Sequence, residues 1–334
     1  MVKAAIIGLG DISFIHLDAI LGNPEIQLAA ACDLKEELRS RVPEGTPFYT
    51  DYHEMVRQVR PDVVHVCLPH YLHYPVTKEL VEMGVNVFCE KPVALNIAEA
   101  EAFAALEQAH PEVKIGICLQ NRMNETTEAL KAIIDSGEYG KITGIRGFVP
   151  WYRAPEYYSV KPWRGTWKYA GGGSMINQSL HTLDLMYYLG GPVSKLHALV
   201  GQLNDYGIEV EGDVVARMEF QNGAHGLFFA TNNNYTNESV QIRVAMEKAT
   251  FHIEDSTLYK IGPGSSREVV CKAPVLEGIK FYYGASHSRL IDRFRRAVES
   301  GSDDYIHVAD AVMVIRLMQT IFLSSKEDKL IDVL

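Results

Sequence analysis

Residues 2–13 read Val2-Lys3-Ala4-Ala5-Ile6-Ile7-Gly8-Leu9-Gly10-Asp11-Ile12-Ser13. A short, mostly apolar run that stops at a glycine reads as a buried strand. Apolar positions then recur at helical spacing over 12–20, so the chain passes from strand to helix across Gly8-Leu9-Gly10. Glycines at this turn allow a tight bend and a close approach of backbone to a pyrophosphate. The free N–H groups and positive dipole end of the following helix attract the same charge. Gly8, Gly10, Asp11 and Ile12 are therefore candidates for dinucleotide binding. Ser13 stands at the third position of the glycine pattern, small but not glycine.

The alternation continues outward from this turn. Runs at 27–32, 62–68, 85–89 and 113–119 read as strands, and 34–39, 74–83 and 97–109 as helices, with Asn96 and Gly84 as caps. Short strands separated by helices of about ten residues require crossovers and hence a parallel sheet. After about residue 120 the pattern changes. A helix over 125–136 precedes longer runs of alternating polarity. Residues 213–221, Asn222-Gly223 and 224–231 read as a hairpin with a type I′ turn. Residues 241–246 and 250–254 read as further strands, and 286–299 and 308–323 as closing helices. The expected fold class is an α/β Rossmann domain with a parallel sheet over 1–120, then an α+β domain with a mainly antiparallel sheet over 121–334.

Composition narrows the function. A chain of 334 residues has room for two domains. With 47% hydrophobic and 22% charged residues it buries a core and is not disordered. Thirty-two Lys and Arg against 42 Asp and Glu give a net charge of −10. Such a surface repels phosphate backbones and anionic bilayers, so neither nucleic acid nor membrane is an expected partner. The apolar run between Lys3 and Gly8 is too short for a signal-peptide core, and no run approaches the roughly 18 residues of a membrane span. Five cysteines form no CxxC pair. Zinc, other metals and disulfides are not expected, and reduced thiols suit the cytoplasm.

Three further positions carry chemistry. Asp33 follows the second strand; a carboxylate there accepts the ribose hydroxyls of NAD and repels the 2′-phosphate of NADP. One such charge pair at ~4 Å is worth ~1 to ~4 kcal/mol, a preference of roughly tenfold to a thousandfold. The alternative role for Asp33 is a helix N-cap. Glu90-Lys91-Pro92 follows a strand at the edge where open α/β sheets bind ligands. The Lys91 ammonium can stabilise an alkoxide or donate a proton. Gly171-Gly172-Gly173 opens a stretch in which Asn177, His181 and Asp184 stand at i, i+4 and i+7, one face of a single helix. A histidine there can take a hydroxyl proton as hydride leaves the same carbon.

Together these motifs resemble the Gfo/Idh/MocA oxidoreductases, named for glucose-fructose oxidoreductase and inositol dehydrogenase. The resemblance rests on Gly8-Leu9-Gly10, Cys32-Asp33, Leu68-Pro69-His70-Tyr71-Leu72-His73, Glu90-Lys91-Pro92, the triple-glycine segment with His181 and Asp184, and Tyr283-Gly284-Ala285-Ser286-His287. It implies a Rossmann domain and a second domain whose large open sheet forms the contact of a homodimer or homotetramer. It implies catalytic roles for Lys91 and His181. It also implies a cofactor site that includes Leu68, Pro69, His73, Glu90, Gln120, Trp163 and Arg164, with Gln120, Asn121 and Arg122 leading into the site. Many such dehydrogenases carry Asp four residues before the histidine; this chain has Asn177, which cannot stabilise an imidazolium with full charge.

The implied function is transfer of hydride between NAD and a hydroxyl or keto carbon of a sugar, inositol or sugar derivative, with NADP disfavoured. Asn177, Arg164, Tyr152, Tyr283 and His287 are candidates for binding a carbohydrate or polyol. Tyr157, Tyr158 and Trp167 are candidate stacking faces. Two alternatives are a redox-neutral glycoside-processing enzyme that retains its NAD and a non-catalytic dinucleotide-binding sensor. Retention of both Lys91 and His181 argues against the sensor.

Overall fold

The computed structural model describes residues 1–274 and 286–333. Tyr283 lies outside the described residues. The chain divides into two compact units, one of Met1–Gln120 with Ser286–Val312, the other of Asn121–Ala285 with Met313–Leu334. Residues 286–312 cluster with the first unit, whereas the division expected at residue 120 puts them in the second domain.

The first unit contains β1 (Val2–Ile7), α1 (Ser13–Leu21), β2 (Ile26–Cys32), β3 (Phe48–Tyr49), α2 (Tyr52–Val59), β4 (Val63–Val66), α3 (His73–Glu82), β5 (Asn86–Cys89), α4 (Ile97–Ala109) and β6 (Ile115–Ile117). All six strands are parallel, in the order β3-β2-β1-β4-β5-β6. That order reverses direction at β1, and ligands of open sheets bind at such a reversal, outside the strands' carboxyl ends. Every residue of β4 is buried, three valines and His65, as in a strand covered on both faces. Residues 34–39 form a 3-10 turn over Glu36–Arg41 rather than an α-helix. The sequence reading missed β3 and α2; Asp51 caps α2 by accepting from the His53 amide.

The second unit holds α5 (Glu125–Ser136), β7 (Ile142–Pro150), three short helices α6 (Glu156–Ser159), α7 (Trp167–Ala170) and α8 (Ser174–Asn177), and α9 (Leu180–Gly190). Strands β8 (Val193–Gly201), β9 (Asp213–Phe220), β10 (His225–Thr231), β11 (Gln241–Met246), β12 (Thr250–Glu254), β13 (Thr257–Ile261) and β14 (Arg267–Lys272) follow. Helix α10 (Ser286–Ser300) belongs to the first unit, the division falls inside α11 (Val308–Glu327), and β15 (Ile331–Asp332) ends the second. The nine strands lie in the order β14-β13-β12-β11-β7-β10-β9-β8-β15. All pairs are antiparallel except β10 with β7. Helix α9 packs so closely on β7 that a Cβ on Gly147 would meet Thr182 and Met186.

The β9–β10 hairpin differs from its reading. Gly223 donates to the Phe220 carbonyl and Phe220 to the Ala224 carbonyl. Of Asn222 and Gly223, only Gly223 has positive φ. A type I′ turn needs positive φ at two central residues, so this is a three-residue loop with glycine in the left-handed position. Helix α11 is also longer and more apolar than expected: it meets the length and composition of a membrane span, with half of that window buried inside the fold.

Candidate active site

In the first unit the turn after β1 is shaped for a dinucleotide. Gly8 has φ +88°, and a Cβ there would sit 2.7 Å from the Cys67 carbonyl oxygen, so only glycine fits. A Cβ on Gly10 would meet nothing within 4 Å. Backbone at Gly10 therefore lies open to an approaching group, as a pyrophosphate requires. Ser13 is fully buried and donates from Oγ to the Gly10 carbonyl at 2.7 Å, which explains how serine serves at the third position. Asp33 follows β2, its Oδ2 accepting from the Leu9 amide at 2.8 Å and Oδ1 from the Lys35 amide at 3.0 Å. The carboxylate is thus tied to the glycine turn itself. These residues fit NAD.

The loops after β4 and β5 are joined. His73 is buried, with Nε2 2.8 Å from the Leu68 carbonyl and Nδ1 2.8 Å from the Pro92 carbonyl. It sits between the Leu68-Pro69 turn and the Lys91-Pro92 turn; a neutral ring donates to one of the two carbonyls, a protonated ring to both. Burial, partly offset by those carbonyls, keeps the ring below its usual pKa. Gln120, at the end of the β6 segment, is buried and accepts from the Cys118 thiol at 3.6 Å.

Glu90 is 4% exposed. Its Oε1 lies 2.8 Å from His16 Nε2, and Oε2 accepts from the Lys91 amide at 3.2 Å. His16 Nδ1 is in turn 3.0 Å from His65 Nδ1. Burial alone pushes the Glu90 carboxyl up, but the His16 hydrogen bond and charge, with His287 and Lys91 behind them, hold it well below the usual range. His65 is driven well below its ordinary value by burial and then by His16. The sequence reading missed His16 and His65; His16 shares the buried face of α1 with Ser13, Leu17 and Ile20, and that is the one signal. His287, a candidate substrate ligand, is 2% exposed with Nε2 3.9 Å from Glu90 Oε1. Helix α10 carries it inside the first unit. His16, Glu90 and Cys118 bring ligand atoms within 4.8 Å of one another. The five cysteines are free thiols.

In the second unit the expected single helix is broken. Asn177 ends α8, and α9 begins at Leu180. At the break the Ser179 hydroxyl returns to the Ser174 and Met175 carbonyls at 3.1 and 3.3 Å. The helical spacing therefore relates His181 to Asp184 on α9 but not to Asn177. Asn177 donates weakly to the Gly172 and Gly173 carbonyls. Asp184 is 1% exposed and takes both arms of Arg122, at 2.9 and 2.6 Å. It anchors α9 to the segment after β6, and His181, 7% exposed, stands in the first turn of that anchored helix.

A second residue unseen in the sequence holds the triple-glycine turn. Buried Glu211 accepts from the Gly173 amide at 2.8 Å and the Met175 amide at 2.9 Å. A Cβ on Gly173 would lie 1.9 Å from the Glu211 carbonyl oxygen, which explains that glycine. Desolvation dominates here and pushes the Glu211 carboxyl up to about 7. The aromatic loop is split. Tyr158 is 3% exposed and its hydroxyl accepts from Asn232 at 2.9 Å, so it packs rather than stacks on a ligand. Tyr152 and Trp167 are exposed at 40% and 42%. Arg164 lies 4.2 Å over the Tyr157 ring, with Trp163 beside it.

Comparison with known proteins agrees with this organisation. Residues 2–116 match the family model for oxidoreductases with an NAD-binding Rossmann fold, and residues 127–252 match the GFO/IDH/MocA C-terminal domain. The D-glucoside 3-dehydrogenase of Escherichia coli (strain K12) is 29% identical over 247 residues, covering 66% of this chain and 67% of that protein. The myo-inositol 2-dehydrogenase of Thermotoga maritima is 26% identical over 234 residues, covering 67% of each. The uncharacterized oxidoreductase YrbE of Bacillus subtilis is 27% identical over 236 residues; that match spans 65% of its length. Among solved structures, the WlbA dehydrogenase of Bordetella pertussis with NADH and UDP-GlcNAcA superimposes with a TM-score of 0.85 at 24% identity, over 100% of this chain and 99% of that one. A levoglucosan dehydrogenase with NADH and levoglucosan gives 0.87 at 20% identity, over 99% of each.

Proposed function

The chain belongs to the GFO/IDH/MocA family of oxidoreductases with an NAD-binding Rossmann fold, and from that premise we propose that it moves hydride between NAD and a hydroxyl-bearing carbon of a sugar, inositol or sugar derivative. The observation that carries this reading is the joined set of loops at the β-strand ends: the Gly8–Gly10 turn, Asp33 bonded to it, and Lys91 fixed through Glu90 and His73. NAD supplies the hydride acceptor. Lys91 supports the developing oxyanion, and His181 takes the hydroxyl proton. Asn177, Arg164 and Tyr152 bind other hydroxyls. Dehydrogenases of glucosides and inositols among the relatives support a carbohydrate or polyol.

The carboxylate of Asp33 favours NAD over NADP. The open sheet of the second unit forms a homodimer or homotetramer contact, supported by exposed Leu199, Val215 and Leu227 on β8, β9 and β10. Free, mostly buried thiols support a cytoplasmic setting. Lys91→Ala tests the assignment. It lowers turnover about 10²- to 10⁴-fold while NADH binding, followed by calorimetry, changes only severalfold. Unchanged turnover would contradict the role given to Lys91.

A further inference from the structure

The open face of the second unit's sheet carries a charge arrangement that the hydride-transfer reading does not use. Arg243 on β11 stands directly opposite Arg146 on β7, and on its other side directly opposite His252 on β12. Like charges directly opposite on neighbouring strands destabilise a sheet unless something lies between them. Among the described residues neither guanidinium is paired with a carboxylate; Arg146 rests on the Phe148 ring, 5.3 Å away. Arg146 Nε and His252 Nε2 are buried with no hydrogen-bond partner among the described residues, and His252 as a whole is 4% exposed. These groups line a recess of about 180 Å³ with Gln241, Glu254 and Arg267. Glu254 is already taken, by Arg267 at 2.5 Å and Gln241 at 2.8 Å. Three guanidiniums therefore face one committed carboxylate, on a chain whose net charge is −10.

We propose that this recess binds a small oxyanion of the phosphate or carboxylate type, held between Arg146 and Arg243 with His252 as a further polar contact. Guanidinium forks match oxyanions in pairs. The recess is smaller than the roughly 300 Å³ at which pockets for drug-sized molecules begin, so it suits an ion rather than a nucleotide. Burial first, and then Arg243, hold Arg146 below its ordinary pKa, while burial and the surrounding arginines hold His252 down against Glu254. An anion relieves both. The apolar side chains on β8, β9 and β10 lie along other strands of the same sheet, so a contact between copies there does not by itself fill the recess.

The test is thermal unfolding of the full chain in sodium phosphate and in sodium chloride at equal ionic strength, with calorimetric titration of inorganic phosphate. Saturable binding and a Tm several degrees higher in phosphate are expected. Arg243→Gln weakens phosphate binding about tenfold or more, and Arg243→Lys, which keeps charge but loses the fork, weakens it less. Arg217→Gln, on β9 and already paired with Glu219, leaves it unchanged. In chloride the order reverses, and R243Q unfolds at the same temperature as the parent or higher, because the repulsion is gone. Equal Tm in both salts with no saturable heat would overturn the proposal. So would full phosphate binding by R243Q, or a phosphate-insensitive oligomer that R243Q dissociates, since the arginines would then meet a second copy.

Discussion

Two carboxylates, one in each unit, are equally deep and behave in opposite ways. Glu90 has imidazole partners and stays ionised far below the usual range. Glu211 has only backbone amides and the like charge of Asp213 nearby, and burial pushes it up to about 7. Depth alone does not decide a buried carboxyl's charge; the partner does. The difference suits their places. Glu90 fixes the backbone of Lys91 with a constant charge. Glu211 holds the triple-glycine turn with a group that titrates near neutrality.

Removing the partner breaks the comparison hardest. His16→Ala leaves Glu90 buried without its imidazole and costs about 3–5 kcal/mol in urea unfolding. His16→Leu with Glu90→Met recovers most of that loss, because a well-packed apolar pair replaces a buried polar one. A double variant as unstable as His16→Ala would mean that packing, not charge, governs the site.

The Glu211 effect is next in size and depends on pH. Its folded pKa is raised from 4.5 to about 7, so the folded state holds the proton more tightly than the unfolded chain. Its stabilising contribution is full below about 4.5 and lost as pH rises to about 7, on the order of 3 kcal/mol in all. Glu90 is lowered, so its contribution is present above about 4.5 and fades only at more acid pH. His65 and His73 are also lowered and cost stability as pH falls below about 6.5. The difference between the parent and Glu211→Gln isolates Glu211: from pH 5 to pH 8 the variant gains on the parent. A constant difference across that range would show that Glu211 keeps an ordinary pKa. At the small end, Lys78→Ala removes an exposed pair with Glu82 and changes stability by about 0.5 kcal/mol or less.

Much of the first unit was legible because local rules decide it. Gly8 and Gly10 mark a strand–helix turn, and the β-branched run at 62–68 reads as a buried strand. The family resemblance supplied Lys91 and His181. Strand β3 escaped because two residues carry no periodicity, and α2 with it. The break at Ser179 escaped because a hydroxyl returning to its own helix leaves the residue spacing intact. Glu211 and its amide partners are separated by more than 35 residues, and no local pattern connects them. The burial of His287 beside Glu90 was likewise invisible, because it follows from the return of α10 to the first unit, a long-range packing event.

The most direct measurement is NADH absorbance with purified protein, NAD or NADP, and a panel of inositols, aldoses and glycosides. Growth of reduced cofactor is expected with at least one polyol or sugar, faster with NAD than with NADP. Faster growth with NADP would contradict the role of Asp33. A flat trace across the panel, with NAD released from the denatured protein, would contradict net dehydrogenation and favour a redox-neutral enzyme. A flat trace with no nucleotide bound or released would contradict the oxidoreductase reading itself.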